Sequence, residues 1–237
     1  MKPSPPFLAW PGRRVVAEAV ILGTAQTVWW MLVYYGADWV TGVRSARVRV
    51  HLEAELAIPF VPEFILVYRS LDPLFLIAPF VLRTSAQIRA LTWALFGVTL
   101  IAGLGFLLLP AEPAYMPQEI PKFWAGIFAV NTQIVRRHNM VPSLHVALST
   151  VVLAAYGTGR RAWGRAALAA WGGLIALSTL LVHEHHVLDV VTGFVLGWAG
   201  YRAVYLRLFR EGERRGVSPP VPSWRKEERG KRIEDRG

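Results

Sequence analysis

Three histidines and an aspartate fall close together in residues 178–197, STLLVHEHHVLDVVTGFVLG: His183, His185, His186 and Asp189, where two apolar runs meet. His185 and Asp189 are four apart; on a helix that leaves them about 40° apart on one face, one turn above the other. A carboxylate so placed accepts the Nδ1–H of the imidazole, fixes its tautomer and leaves the Nε2 lone pair for an electrophile. His186, three from Asp189, is also within helical reach, so spacing does not choose between the two. Charge at a membrane segment is costly and usually functional; the plain alternative is an interfacial cluster that only packs.

A second stretch, residues 138–150, HNMVPSLHVALST, opens another apolar run with Pro142, Ser143 and His145. Proline is favoured in a helix's first turn and serine can cap it. Free N–H groups at a helix N-terminus attract anions. The two stretches together supply an anion cradle, a nucleophile, its orienter and a second histidine for proton transfer.

P-S-x-H followed by H-x3-D, each at the start of a membrane helix, resembles the type-2 phosphatidic acid phosphatase (lipid phosphate phosphatase) superfamily over residues 59–205. The resemblance implies that His185 is the nucleophile that becomes phosphorylated and that Asp189 orients it. It implies that His145 protonates the leaving group, that Ser143 contacts the phosphate, and that no metal or other cofactor is needed. The chain departs from the phosphatase pattern twice. Where those enzymes carry S-R six residues before the nucleophile, this chain has Ser178-Thr179, and no K-x6-R-P is present. The S-T form with H-H-x-x-D is more similar to the branch containing inositol phosphorylceramide synthase and sphingomyelin synthase, which moves a phospho-headgroup between lipids. Residues 58–62 (IPFVP), Tyr68 and the Leu-Pro at Pro110 also resemble that branch.

The elements that must position these groups are apolar helices. The chain has 237 residues, 54% hydrophobic, with ten tryptophans, a composition that fits a polytopic membrane protein. No cysteine is present, which excludes disulfides and thiolate metal sites. The fold expected is an all-α membrane helix bundle of six transmembrane helices, at residues 15–35, 58–82, 91–109, 141–156, 166–182 and 187–206. Residues 1–14 form a basic N-terminal segment, 15–206 the catalytic membrane domain and 207–237 a basic tail. Four prolines in 58–82 predict a kinked or broken helix there. The region 38–57 reads equally as helix, strand or loop, and 110–140 as a long connection. Gly193, Gly197 and Gly200 predict close helix contact.

Cations must balance a phosphoryl group. Arg136 and Arg137, just before P-S-L-H, are the first candidates and Arg69 the second, with Lys122 in reserve; Arg69 also stands three from Asp72, its expected ion-pair partner. With six spans, eighteen Lys/Arg fall on one side and six on the other, so both termini are expected in the cytoplasm and the site on the opposite face of a bacterial-type inner or plasma membrane. The +10 net charge is tied to membrane flanks, so the expected partners are a lipid substrate and the bilayer, not nucleic acid. The function expected is a lipid phosphatase or phosphotransferase working through phosphohistidine. The alternatives are phospho-headgroup transfer between lipids, a metal enzyme with His183, His185, His186 and Asp189 as ligands to Zn or Fe, and a scaffold or transporter subunit without turnover.

Overall fold

A computed structural model describes residues 6–112, 114–136 and 138–214. Arg137 and most of the basic tail lie outside the described residues. The described chain is helical, with ten α-helices and one isolated bridge, Val48 to Ala111.

Four helices are long and apolar enough to cross a membrane: α1 (Arg13–Gly42), α5 (Ser85–Leu108), α8 (Ala162–Leu181) and the continuous rod Val187–Gly212. That rod is α9 (Val187–Gly200), a π turn (Tyr201–Tyr205) and the start of α10 (Leu206–Arg214). Their outer faces carry exposed Trp171, Leu174, Leu177, Val191, Phe194 and Val195, side chains suited to hydrocarbon.

The other two expected spans take a different form. Residues 58–82 break into a 3-10 turn (Pro62–Phe64), α2 (Ile65–Arg69), α3 (Leu71–Leu76) and α4 (Ala78–Leu82). Pro62, Pro73 and Pro79 lack the N–H that would continue a helix, so the segment restarts at short intervals. The fourth expected span is α7 (Leu144–Gly157), with only fourteen residues, about 21 Å against a hydrocarbon core of about 30 Å. Eleven of them are buried. It packs on α5, α8 and α9 as the central helix of the bundle.

The connection 110–140 contains a helix, α6 (Ala125–Ile134), that spacing did not predict. It buries Phe128 and Asn131. The region 38–57, loop one, continues α1 to Gly42 and then runs irregularly to a 3-10 turn, Glu53–Ala57. On the way, Val48 bonds through N–H to Pro110 O (2.9 Å) and through its carbonyl to Glu112 N–H (3.0 Å). Loop one and the connection after α5 are therefore tied together above the bundle.

Glycine sets how closely α7 and α9 approach. A Cβ at Gly193 would strike the carbonyl oxygen of Ser143, and one at Gly197 that of Ala147. Backbone obstacles cannot rotate away, so Gly193→Ala is expected to destabilise the protein by about 1–3 kcal/mol and to lower activity. Gly173→Ala on α8, where a Cβ meets open space, is the control and should be neutral. Thermal midpoints of the two variants in detergent check this; equal midpoints would contradict it.

Candidate active site

The P-S-L-H stretch forms the start of α7. Ser143 is the N-cap, and its Oγ accepts the N–H of Val146 at 3.3 Å. Pro142 thus precedes the cap, two positions before the first helical residue, rather than lying in the first turn as expected from sequence. His145 lies in the first turn and is only partly exposed. Its ring stacks on Tyr68 (centroids 3.9 Å, 11° between planes), and its Nε2 is 2.7 Å from the Tyr68 carbonyl. A carbonyl only accepts, so Nε2 carries the hydrogen. Nδ1 is then the atom left to take up or release a proton.

The H-H-x-x-D stretch is a turn between two helix ends rather than one helix. The C-terminus of α8 closes in a Schellman motif: His183 N–H bonds to Leu180 O (3.1 Å) and Glu184 N–H to Thr179 O (3.0 Å). The motif needs a left-handed residue, usually glycine; here His183 takes it, at φ 59°. For a side-chain-bearing residue that costs roughly 1–2 kcal/mol. Two contacts hold the ring in place: Nε2–H donates to Ile58 O at 2.9 Å, and Tyr115 stacks at 4.0 Å and 6°. Thr179 O also accepts the N–H of His185 at 3.1 Å.

Helix α9 then starts with His186 as its N-cap. Asp189, at the third helical position, reaches back so that Oδ2 accepts the His186 N–H at 2.8 Å. The same oxygen lies 3.3 Å from His185 Nδ1. The His185–Asp189 contact anticipated from spacing is therefore present, but His185 lies before the cap, so the contact is a fold-back and not a helical turn. His185 keeps 8% of its side chain accessible, whereas Asp189 and His186 have none. Only His185 pairs with Asp189 and retains an open edge.

The two halves are joined directly. Ser143 N–H donates to the main-chain carbonyl of Asp189 at 2.9 Å. His145 also lies within electrostatic reach of His185 and of Arg69. The His145 ring, the Ser143 cap and the His185–Asp189 pair thus share one corner of the bundle.

The expected cations divide. Arg69 follows Tyr68, the residue stacked on His145, and its guanidinium pairs with Asp72 at 2.7 Å. Arg136 lies 3.9 Å from Asp38 and 4.7 Å above the Tyr35 ring. Lys122 is exposed, and Arg137 lies outside the described residues. Thr179, at the position of the missing arginine, is fully buried with its hydroxyl on Ala176 O (2.7 Å); its main chain, not its side chain, serves the site.

Several site residues carried no motif. Glu55 Oε2 is 3.0 Å from His186 Nδ1 and accepts the N–H of Val187 at 3.1 Å. Tyr115 lies between the rings of His183 and His186. Asn131, on α6, donates to Glu184 at 2.6 Å. Burial sets the proton affinities of this turn. It lowers the pKa of His183 and His186 and raises that of Glu184, against the opposing pull of His185 and Asn131 on Glu184. Burial also pushes the Tyr115 phenol up to about 12, so it stays a neutral stacking ring. His183, His185, His186 and Asp189 do not converge on a point: one histidine turns to Ile58, one to Asp189 and one to Glu55. Among the described residues no three acids, histidines or cysteines are grouped to hold a metal.

A family model described as PAP2 superfamily matches residues 45–203, and the chain belongs to that superfamily. The match spans both half-sites and Glu55. Members are phosphatases, and membership together with the apolar helices suggests an integral membrane protein with phosphatase-type activity on lipid phosphates. No curated protein and no solved structure matches the chain.

Proposed function

We propose that the protein is an integral-membrane lipid phosphatase or phosphotransferase that works through a phosphohistidine on His185. The observation that carries this reading is the His185–Asp189 pair, tied to the Ser143 cap by the Ser143 N–H to Asp189 O bond. His185 Nε2 attacks phosphorus, the bond from phosphorus to the leaving oxygen breaks, and His145 gives that oxygen a proton from Nδ1. Asp189 stabilises the imidazolium that develops on His185. The N-terminus of α7, Ser143 and a cation hold the equatorial oxygens. Water or a lipid hydroxyl then attacks phosphorus, the N–P bond breaks, and the acceptor's proton returns to His145. None of these steps calls on a metal.

The topology that goes with this reading has six membrane passes, with the proline-broken segment α2–α4 and the short α7 as the second and fourth. Both termini are cytoplasmic and the two motifs open on the other face. Headgroup transfer between lipids, as in the inositol phosphorylceramide and sphingomyelin synthases, is the second reading. It is favoured by Ser178-Thr179, since a buried threonine replaces the arginine of the hydrolytic pattern. Turnover of purified protein on a panel of lipid phosphates and phosphodiesters, with and without a lipid alcohol and with and without chelator, tests both. Phosphate release supports hydrolysis and a new phospholipid supports transfer. No turnover on any member would overturn the proposal, and loss of turnover on chelation would overturn its metal-free chemistry.

Arg69 takes precedence over Arg136 as the phosphate partner because it follows Tyr68 and lies within electrostatic reach of His145; both guanidiniums already face a carboxylate, Asp72 at 2.7 Å and Asp38 at 3.9 Å. Arg69→Ala is expected to slow turnover by roughly two orders of magnitude, as for loss of an oxyanion donor, and Arg136→Ala by less. Steady-state rates of the two variants check this.

A further inference from the structure

Two adjacent histidines, His185 and His186, meet two carboxylates, and the pairing is selective. Asp189 faces His185 Nδ1 at 3.3 Å. Glu55, 131 residues away in sequence, faces His186 Nδ1 at 3.0 Å. The contact needs one proton between nitrogen and oxygen, and an ionised carboxylate only accepts, so His186 holds it as Nδ1–H. With the same oxygen Glu55 accepts the N–H of Val187 at 3.1 Å. It thus adds to the His186–Asp189 capping box at the start of α9, where negative charge suits the helix dipole. The His186 ring is closed in by Tyr115 at 4.6 Å and His51 at 5.2 Å and has no accessible surface.

Without Glu55, His186 still has the Asp189 carboxylate within electrostatic reach of its ring, from the cap position to the third helical residue. It would compete with His185 for the one group that fixes a reactive tautomer. We propose that Glu55 is a positioning residue that decides which histidine is phosphorylated: by holding His186 through Nδ1, it leaves Asp189 to His185. The inference rests on the phosphohistidine reading above and adds to it a residue from loop one. Glu55 touches no reacting atom and acts through His186.

The test uses the full-length chain, purified in detergent, with a short-chain phosphatidic acid labelled in its phosphoryl group. The reaction is quenched in alkali, where phosphohistidine survives, and peptide fragmentation locates the label. Wild type should carry it on His185. In Glu55→Ala a share should move to His186, while kcat falls by about tenfold or more and KM changes by less than about threefold, the signature of a lost transition-state arrangement. Glu55→Gln should stay within about threefold of wild type, because its amide oxygen still accepts both hydrogens. Glu55→Asp keeps the charge and shortens the reach, so it carries the same relocation test if alanine does not give folded protein. Label confined to His185 in the alanine and aspartate variants, at whatever rate, overturns the inference. Absence of label from wild type overturns the phosphohistidine reading and this inference with it, so the two failures are told apart.

Discussion

His185→Ala is expected to reduce turnover by about four orders of magnitude or more, the scale on which nucleophile losses fall, while the protein stays folded. On the proposed reading, His185 Nε2 forms the covalent bond to phosphorus, and alanine has no atom to replace it. It lies in the turn before α9, held by a single main-chain bond and one side-chain contact, so its removal leaves the packed helices in place. His186→Ala should be milder, because that ring has no accessible edge and pairs with Glu55. Rates of both variants on the same lipid phosphate, with thermal midpoints alongside, check the order. A dead His186→Ala beside an active His185→Ala would place the nucleophile one residue later.

Asp189→Asn should cost about two to four orders of magnitude in kcat with little change in stability or KM. In wild type the Asp189 carboxylate serves two donors at once, the His186 main chain at 2.8 Å and His185 Nδ1 at 3.3 Å. An amide oxygen in the same place can keep both hydrogen bonds, so the fold survives. It carries no charge, so the imidazolium that forms on His185 as Nε2 attacks phosphorus is no longer stabilised. A near-normal rate in folded Asp189→Asn would make Asp189 a helix cap alone.

The parts of this site that the sequence reveals are those encoded within a few residues. Ser143 before an apolar run announces a cap, and His185 with Asp189 announces a pair; the structure contains both. The chemistry of the turn is less legible. Four-residue spacing suggests one helix, but His183 in the left-handed region ends α8 and His186 starts α9, so the same contact arises by a different path. Glycine would have signalled that stop, and a histidine in its place hides it. Glu55 could not be found at all, since its partners lie more than 130 residues on and its own segment has no periodicity. Similarly, the prolines of residues 58–82 announced a break, but not that the break would bring Tyr68 against His145. The length of an apolar run also does not say whether lipid or protein surrounds it, which is why α7 reads as a span and packs as a core.

The glycine contact between α7 and α9 has a consequence for how such an enzyme can change over time. The spacing of the two half-sites is set where Gly193 and Gly197 lie against main-chain carbonyls, and by the Ser143 N–H to Asp189 O bond. No side chain that could recognise a substrate takes part in that ruler. Exposed residues around the rim, Glu55 of loop one and Tyr115 of the connection after α5 excepted, can therefore be exchanged without altering the distance between His185 and His145. New headgroups become accessible to selection through surface substitutions, while the two glycines are barred from drifting. On the proposed reading, the same main-chain gauge would serve hydrolysis and transfer alike.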